Sequence, residues 1–514
     1  MLKHTAYSRE ELQYVGAVES RHGNIEPAQP ANTLFCFLLI VLAALLVGYS
    51  ETIAFIWDEG FHLLAAQLIL HGKKPYLDFC FPQTPLNAFW NAAWMRILGD
   101  TWRSAHALAA TTTMGAIVLA ADFLRTRFPD KTWRVQAASA AALLLGLNAA
   151  IVEYGTIGQS YAFCLFLLMC AFRAAVVAVH RSDHRWTAAA GLFSGAAAAS
   201  SLLTAMAAPV FLLWILWHTP LGKVRQFLAF VCGAACPFLP VVWLFVREPR
   251  VVFFNLFQYQ LLYRRTNWED ATPHDFEVLT SWLYSPGVFL LGLLALLGLW
   301  FVARKSDWSA AGRAPFYLCG CLGLAIGIEL CAAHPTFPSY WTLVTPFVAI
   351  PAAAGLYAVT VWLPAPIRRG WIWAALVLVL SVGLAKSLRE DRNRLTWQDM
   401  EALSRKVDEV TAPGAPIWAD EQVYFISRRT PAEGTEFSYA EVIDVPEDQA
   451  RKLHILSDVD LDRKAAEGIF RTVSTCEDPD VIEKLELLKL FRRKADVGGR
   501  CKVFWDPVNH PGAR

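Results

Sequence analysis

Long apolar runs alternate with short polar stretches along most of the chain. Runs of about 16–22 residues are long enough to cross a bilayer as helices. The pattern therefore predicts an all-α polytopic membrane domain with about eleven crossings, followed by a polar tail. The predicted spans are residues 32–50, 103–124, 136–152, 160–180, 187–202, 204–217, 226–246, 286–303, 315–333, 340–360 and 371–386.

One further apolar run, residues 85–98, is short and contains Asn87, Asn91 and Arg96. Loops rich in Lys and Arg stay on the inner side of a membrane. If this run does not cross and the N-terminus is inside, the basic clusters of the chain all fall inside. We therefore interpret residues 85–98 as a helix lying on the outer surface. The clusters are Arg125/Arg127/Lys131/Arg134, Arg181/Arg185, Lys223/Arg225, Arg304/Lys305/Arg313 and Arg368/Arg369.

This topology predicts three segments on the outer face of the membrane. We name them the acidic segment (residues 51–102), the second polar segment (residues 247–285) and the C-terminal domain (residues 387–514). Residues 1–31 are predicted to form a cytoplasmic tail, and residues 32–386 the membrane domain. No small-residue cleavage pattern follows the first apolar run, so we expect that run to remain as the first span.

The C-terminal domain has a different pattern, in which short apolar stretches alternate with charged ones. Strand–helix–strand order predicts a small soluble α/β domain. Cys476 and Cys501 lie on two of its predicted strands, where they either form a disulfide or remain two free thiols. The predicted elements are helices at 391–411, 420–427 and 479–494, and strands at 416–419, 470–476 and 501–505.

Composition agrees with a membrane protein and excludes several other classes. The chain is 55% hydrophobic and only 18% charged, which is too apolar for an ordinary soluble protein. Its 46 basic and 45 acidic residues provide no net charge for binding nucleic acid. The sequence lacks Walker, dinucleotide-binding and Cys-x-x-Cys motifs. The absence of an Asn-x-Ser/Thr sequon favours a bacterial inner membrane over the endoplasmic reticulum.

The candidate reaction centre is the stretch Trp57-Asp58-Glu59-Gly60-Phe61-His62, shortly after the first span. Inverting glycosyl transfer needs a carboxylate that takes the proton of the acceptor hydroxyl as it attacks the anomeric carbon. A phosphate leaving group needs a cation to stabilise its charge. Asp58 or Glu59 can supply the base. A structural alternative is that these acids cap the helix that begins near Gly60.

Two more residues of the acidic segment are candidates for the site. His62 lies one helical turn from Asp58, so it either hydrogen-bonds to Asp58, shares a metal with it or simply occupies a polar interface. Asp78 either binds substrate or closes a turn after Pro75-Tyr76. No clear metal-ligand constellation is visible, and the sequence leaves a requirement for a divalent cation open.

Several cations are candidates for contacting the phosphate of a donor. Arg103, Arg264 and Arg265 are favoured because a guanidinium can contact two oxygens at once. Lys73 and Lys74 equally suit ordinary lipid headgroups. A solvated loop is the structural alternative for the Arg264-Arg265 pair.

Two later features of the predicted membrane domain lie near its outer end. Glu329 is charged inside a predicted span, where it either has a function or extends to the interface. Residues 334–340 either close over a donor or form a proline-rich turn.

The sequence resembles the GT-C glycosyltransferases of the protein O-mannosyltransferase and aminoarabinose-transferase type. The resemblance covers most of the chain and is strongest in the first hundred residues. The matching residues are Asp58-Glu59, Gly72-x-x-Pro75-Tyr76-x-Asp78, Pro85-Leu86, Gly99, Arg103, Tyr340 through Pro346, Ala415-Pro416-Ile417, Tyr424-Phe425 and Arg428.

The resemblance implies a polyprenyl-phosphate sugar donor, an inverting reaction and a site on the periplasmic or lumenal face. It implies Asp58 as the catalytic aspartate with Glu59 beside it, and Gln83 and Tyr340 join the predicted substrate-binding residues. The transferred sugar is a hexose or a pentose, and the acceptor is a protein, a lipid or a cell-envelope glycan.

The sequence departs from the family at two places. Where many members have another Asp, the stretch 153–159 offers Glu153 or Gln159. The aminoarabinose branch has Glu-Lys-Pro where this chain has Gln83-Thr84-Pro85, which weakens an assignment to lipid A modification.

Two other function classes compete with a transferase. A transporter or lipid flippase should have repeated halves and ionisable groups on broken midplane helices, whereas this chain has its acids in outer segments. The missing second aspartate also fits a non-catalytic relative that acts as a membrane scaffold.

Overall fold

A computed structural model describes residues 29–219, 222–264, 271–363, 367–441, 443, 445–476 and 486–508. The N-terminal tail and Arg265 therefore lie outside the described residues. The α-helices of the first two thirds of the chain are α1 (Gln29–Thr52), α2 (Glu59–Leu70), α3 (Leu86–Leu98), α4 (Trp102–Arg127), α5 (Arg134–Gly146), α6 (Ala149–Tyr154), α7 (Ser160–Arg181), α8 (His184–Ser200), α9 (Ala207–His218), α10 (Lys223–Ala235), α11 (Leu239–Arg247), α12 (Pro249–Phe253), α13 (Ala271–Tyr284), α14 (Pro286–Arg304) and α15 (Ala310–Ala332).

The later elements include all four strands. They are α16 (Thr345–Trp362), α17 (Ile367–Asp391), α18 (Trp397–Val410), β1 (Ile417–Trp418), α19 (Glu421–Ser427), α20 (Glu447–Leu453), α21 (Asp458–Ala466), β2 (Thr472–Thr475), α22 (Leu487–Leu490), β3 (Phe491–Val497) and β4 (Cys501–Pro507). A π-helix spans Phe254–Tyr263, and short 3-10 helices include Pro338–Leu343 and Ser438–Ala440.

Within the described residues, eight helical stretches are long and apolar enough to cross a membrane. One of them, Lys223–Arg247, joins α10 and α11 through a 3-10 turn at Cys236–Phe238. Pro237 and Pro240 lack the backbone N–H that a continuous helix needs there. The other three predicted spans form the shorter helices α5, α8 and α9, of 13, 17 and 12 residues. The predicted helical membrane domain is confirmed: eight of the eleven predicted spans correspond to full-length helices and three to shorter ones.

Helix α3 corresponds to the predicted surface helix. It has 13 residues, which is too short to cross a bilayer alone, and its Asn87 and Asn91 side chains are buried. Both amides donate hydrogen bonds to the Gly158 carbonyl over 3.3 Å. The acidic segment is thereby attached to the loop that precedes α7.

Close contacts between small residues hold the membrane helices together. Gly298 of α14 and Gly355 of α16 face each other so closely that a Cβ at either position would lie 1.9 Å from a backbone oxygen. Helices can approach this closely only through residues without a side chain. The same helices bring the connection between α15 and α16, which contains Tyr340, to one end of the bundle.

The C-terminal domain contains a four-stranded sheet in the order β1-β2-β4-β3. Strands β1 and β2 are parallel and joined by helices, whereas β4 is antiparallel to both β2 and β3. The β3–β4 hairpin turns at Gly498 and Gly499, which have φ of 62° and 73°. Glycine adopts this left-handed backbone without steric cost. The predicted strands at 416–419, 470–476 and 501–505 are confirmed.

The prediction of a helix at 479–494 is wrong for residues 491–494. Only Leu487–Leu490 is helical, and β3 begins at Phe491. A short apolar run fits the helical and the extended period equally well. Arg493 pairs with Trp505 across the hairpin, and this pairing makes the segment a strand. Residues 477–485 lie outside the described part of the chain.

A disulfide joins Cys476, next to the end of β2, to Cys501 at the start of β4. Of the two alternatives for these cysteines, the structure therefore has the bonded pair. The disulfide links neighbouring strands at the centre of the sheet.

Aromatic stacking attaches the C-terminal domain to the acidic segment. The Trp397 ring of α18 stacks on Trp102 at 5.8 Å between centroids, and both residues are buried. The Gln422 amide of α19 donates to the Trp57 carbonyl over 2.7 Å, directly beside Asp58. This contact brings the tail of the chain to the predicted reaction centre.

Candidate active site

Asp58 immediately precedes α2 and leaves its carboxylate accessible to solvent. Its side chain makes no capping hydrogen bond to the helix. The Tyr439 hydroxyl, from the C-terminal domain, donates to Asp58 Oδ1 over 2.5 Å. The structural alternative in which the Asp58 side chain caps the helix is therefore not observed.

Protein surrounds the Asp58 carboxylate on most sides even though solvent reaches it. Burial raises the pKa of Asp58, while the hydrogen bond from Tyr439 and the nearby charge of Arg264 lower it in part. A carboxylate whose conjugate acid has a raised pKa is a stronger base than a solvated one.

Arg264 follows the π-helix directly and provides the cation of the site. Its guanidinium donates to the Pro335 carbonyl over 2.9 Å and to the Tyr340 hydroxyl. The guanidinium carbon also lies 5.7 Å from the centre of the Tyr340 ring. Arg264 is half-buried, and no carboxylate pairs with it among the described residues. Its charge is therefore available to an anionic ligand.

The loop that contains Tyr340 is fastened by the second polar segment. The Asp275 carboxylate accepts a hydrogen bond from the Thr336 backbone N–H over 2.7 Å and lies 2.5 Å from His334 Nδ1. Tyr161 of α7 lies 3.1 Å from Ser339, hydroxyl to hydroxyl. These contacts hold residues 334–340 beside Arg264.

Sequence reasoning missed Tyr439 and Tyr259. The Tyr259 hydroxyl donates to the Tyr439 carbonyl over 3.4 Å, and the rings of both contact Phe437. Burial raises the pKa of Tyr439, as does the adjacent Asp58 charge, so Tyr439 stays protonated as a donor. No local pattern marks these tyrosines, because their role comes from contact between distant parts of the chain.

Glu421, at the start of α19, was also missed. It is buried, and its Oε1 accepts a hydrogen bond from the Ser438 backbone N–H over 2.7 Å. Burial raises the pKa of Glu421, opposed by that hydrogen bond, and the nearby Asp58 charge raises it further. It orients the Ser438–Ala440 turn that carries Tyr439.

Glu59 differs sharply from its neighbour Asp58, because its carboxylate has no exposure to solvent. Oε1 lies 2.8 Å from His106 Nε2 and accepts the Gly158 backbone N–H, while Oε2 accepts from Trp397 Nε1 over 3.0 Å. A Cβ at Gly158 would lie 2.9 Å from Glu59 Oε1, so only glycine leaves this space. Glu59 thereby joins α2, α4, the loop before α7 and α18.

Neither His62 nor Asp78 hydrogen-bonds to the Asp58 carboxylate within the described residues. His62 is buried and stacked on Phe61 at 4.3 Å, its Nδ1 has no hydrogen-bond partner in the described structure, and burial lowers its pKa to about 3. Asp78 accepts from the Lys74 backbone N–H over 2.7 Å and donates its own N–H to the Lys74 carbonyl. Asp78 therefore closes a turn, which is the structural alternative to substrate binding given for it above.

Gln83 and Arg103 also have structural contacts. The Gln83 backbone carbonyl accepts a hydrogen bond from the Tyr76 hydroxyl over 2.6 Å. The half-buried Gln83 side chain takes no part in this hydrogen bond. Arg103 pairs with Glu401 of α18 at 2.8 Å and lies over the Trp102 ring at 4.2 Å. Burial would raise the pKa of Glu401, but hydrogen bonds from Trp102 and Arg103 bring it below the usual value. Arg103 thus lies at the contact with the C-terminal domain.

Three further polar residues were candidates in the sequence, and the structure shows their surroundings. Glu329 accepts from the Met206 backbone N–H over 3.1 Å, near the start of α9. Glu153 is buried and accepts the Ser387 hydroxyl, whereas Gln159 is buried before α7. Among the described residues, no group of three or more His, Cys, Asp or Glu side chains has an arrangement suited to a metal ion.

Of the predicted site residues, the structure therefore brings together Asp58, Arg264 and Tyr340. Glu59 lies beside them but is enclosed. The remaining predicted site residues have the structural contacts described above; they are His62, Asp78, Gln83 and Arg103.

The fold is similar to solved membrane-protein structures. ArnT from Cupriavidus metallidurans, bound to undecaprenyl phosphate, matches with a TM-score of 0.66 at 16% identity, covering 93% of this chain and 98% of ArnT. The apo state of the same protein matches with a TM-score of 0.65 at 16% identity, covering 92% and 98%. AglB from Archaeoglobus fulgidus, an archaeal oligosaccharyltransferase, matches with a TM-score of 0.49 at 12% identity, covering 86% and 69%.

Neither a protein-family model nor a curated protein matches the sequence. The similarity to ArnT nevertheless extends over nearly the whole of both chains, including the small C-terminal sheet. The predicted fold class, a helical membrane domain followed by a small C-terminal α/β domain, is confirmed as a fold shared with ArnT. The chain is thus an integral membrane protein with the fold of ArnT.

Proposed function

We propose that this protein is a glycosyltransferase that moves one sugar from a polyprenyl-phosphate donor to an acceptor on the outer face of the membrane. The observation that carries the proposal is the arrangement around Asp58. An accessible carboxylate with a raised pKa lies close enough to the Arg264 guanidinium for the two charges to interact. A base and a nearby cation are what transfer from a sugar phosphate requires.

The donor class is supported by the fold. ArnT shares it and is described in complex with undecaprenyl phosphate, a polyprenyl phosphate. A lipid-linked donor also suits a site at the end of a helical bundle, where its tail can lie among apolar helices. The donor is therefore a membrane lipid that carries the sugar, and the proposed reaction uses no nucleic acid.

In the proposed reaction, the acceptor hydroxyl attacks the anomeric carbon from the side opposite the phosphate. The new acceptor–carbon bond forms as the bond from the anomeric carbon to the phosphate oxygen breaks, so the configuration inverts. Asp58 takes the hydroxyl proton, and Arg264 stabilises the charge of the departing polyprenyl phosphate. Tyr340 holds the guanidinium through its hydroxyl. A divalent cation that shares the phosphate charge is compatible with this scheme.

Glu59 has a positioning role in this scheme. Its carboxylate is fully buried and accepts three hydrogen bonds, which hold the backbone next to Asp58 in place. The proposal therefore assigns proton transfer to Asp58 alone.

Two observations support the outer face as the location of the site. The basic loops between spans favour the orientation in which the acidic segment is outside. The Cys476–Cys501 disulfide also fits an oxidising compartment such as the bacterial periplasm.

The test is sugar transfer in membranes supplied with a panel of radiolabelled polyprenyl-phosphate sugars. Wild type is compared with Asp58→Asn, after both are shown to reach the membrane in equal amount. We expect label in an acceptor for wild type and a loss of about a thousandfold in the variant. The matched control is Asp408→Asn, an exposed aspartate of α18, which should transfer normally. Equal transfer by wild type and Asp58→Asn would overturn the assignment of the base.

A further inference from the structure

A cavity lies between the second polar segment and the C-terminal domain. Its volume is about 800 Å³, within the range of ligand-binding clefts. One wall is formed by α12 and the start of the π-helix, and the other by α20. None of the residues discussed for the reaction centre, apart from the buried Tyr76, lines it.

The rim of this cavity, which we name the interdomain groove, is polar. One wall contributes Glu248, Arg250 and Gln258, and the other Asp448, Gln449 and Lys452. All six side chains are exposed, and none has a hydrogen-bond or ion-pair partner within the part of the chain that the structure describes. Donors and acceptors of both walls are therefore available to a ligand between them.

The formal charges of the rim cancel. Glu248 and Asp448 balance Arg250 and Lys452, so neither wall selects for an anion or a cation. The two amides, Gln258 and Gln449, each offer a donor and an acceptor, which suits hydroxyl groups. A phosphate or a strongly anionic polymer would find no excess of positive charge.

The floor of the interdomain groove is apolar and partly aromatic. Phe254, Leu453 and Tyr76 are buried beneath it, whereas Phe253 is 47% exposed at its edge. An exposed aromatic ring can stack on the apolar face of a pyranose, while the polar rim hydrogen-bonds to its hydroxyls.

The walls also argue against a peptide ligand. Both are helical, so their backbone N–H and C=O groups are used internally and offer no strand edge to an extended chain. Recognition must therefore come from side chains, as the rim provides.

The interdomain groove is connected to the reaction centre through adjacent residues. Tyr259 directly follows Gln258, and its hydroxyl donates to the Tyr439 carbonyl over 3.4 Å. The Tyr439 hydroxyl in turn donates to Asp58. The groove therefore borders the pair of tyrosines that contacts the proposed base.

We propose that the interdomain groove binds the non-reacting part of a neutral glycan acceptor. The proposal rests on the function proposed above and names the acceptor class of that site. It predicts a specificity for uncharged, polyhydroxylated chains that is independent of the sugar on the donor.

The test measures binding and does not depend on catalysis. The full chain in lipid nanodiscs is titrated with neutral hexasaccharides of glucose and mannose and with hexagalacturonate as the anionic counterpart, using saturation-transfer NMR. We expect at least one neutral hexasaccharide to bind and hexagalacturonate to bind at least tenfold more weakly. Gln258→Ala/Gln449→Ala should raise the dissociation constant about tenfold, because two hydrogen-bonding side chains are lost.

One further variant is the matched control for the binding test. Gln398→Ala, an exposed glutamine on α18, should bind as wild type does. Absence of binding by every neutral glycan, or stronger binding of hexagalacturonate, would overturn the groove assignment while leaving the transfer experiment intact. Glycan binding by a protein that shows no Asp58-dependent transfer would overturn its role as an acceptor site.

Discussion

Tyr439 donates a hydrogen bond to Asp58 over 2.5 Å, joining residues that are 381 positions apart. The contact makes the C-terminal domain part of the candidate active site. It also places a neutral donor on the carboxylate that we propose as the base, so the basicity of Asp58 depends on the docking of a second domain.

We predict that Tyr439→Phe shifts the acidic limb of the kcat/KM–pH profile upward by about one pH unit. The hydrogen bond lowers the pKa of Asp58, so its loss raises that pKa further. Asp58 must be ionised to accept a proton, and activity is therefore lost as pH falls through its pKa. At pH values below the limb, the variant should be about tenfold slower than wild type.

The matched control is Tyr284→Phe, an exposed tyrosine at the end of α13. Its pH profile should coincide with that of wild type. An unchanged profile in Tyr439→Phe would show that the hydrogen bond does not tune the base.

Arg264→Ala should lower kcat/KM for the donor by about a hundredfold, because the charge that stabilises the leaving phosphate is lost. Arg264→Lys should restore only part of the activity, since an ammonium cannot make the two directed contacts of a guanidinium. The control is Arg392→Ala, an exposed arginine between α17 and α18. Full activity of Arg264→Ala in steady-state transfer assays would remove Arg264 from the proposed mechanism.

Glu59→Gln should destabilise the protein by about 3 kcal/mol, because a buried acceptor of three hydrogen bonds is altered. Thermal unfolding of the detergent-solubilised protein measures the effect. Glu409→Gln, an exposed acid of α18, should unfold at the wild-type temperature. A stable Glu59→Gln variant that has lost all transfer would instead favour a direct catalytic role for Glu59.

Arg103→Ala should have a small effect of about 0.5 kcal/mol on stability, since the pair with Glu401 is partly exposed. We expect little change in KM for the donor, because the guanidinium is held by Glu401 at the domain contact. A double-mutant cycle with Glu401→Gln would measure the pair energy. A large increase in donor KM would restore the phosphate-binding role predicted from the sequence.

Reduction of the Cys476–Cys501 disulfide should destabilise the C-terminal domain by about 3 kcal/mol, because the bond closes a loop with a sequence separation of 25. Dithiothreitol should lower the unfolding temperature of wild type and of Cys36→Ser, which lacks only a free thiol. The same reductant should leave Cys476→Ser/Cys501→Ser unchanged. An equal response of all three proteins would exclude the disulfide as the source.

Features of this protein that depend on local pattern could be predicted from the amino-acid sequence. Run length and apolarity identified the membrane helices, and the eight long ones were all predicted, because crossing a bilayer requires a fixed length of apolar helix. Alternation and turn residues identified three of the four strands. The position of Asp58 just beyond the first span led to the prediction of a reaction centre there.

Only the tertiary structure decided which neighbours those residues have. Asp58 and Glu59 are adjacent and chemically alike, yet one faces solvent and the other is enclosed by His106, Gly158 and Trp397. Tyr439 reaches Asp58, and Phe491–Val497 forms a strand, through pairing with distant parts of the chain. Burial, pKa and hydrogen-bond partners depend on packing between segments, and no spacing along the sequence encodes that packing.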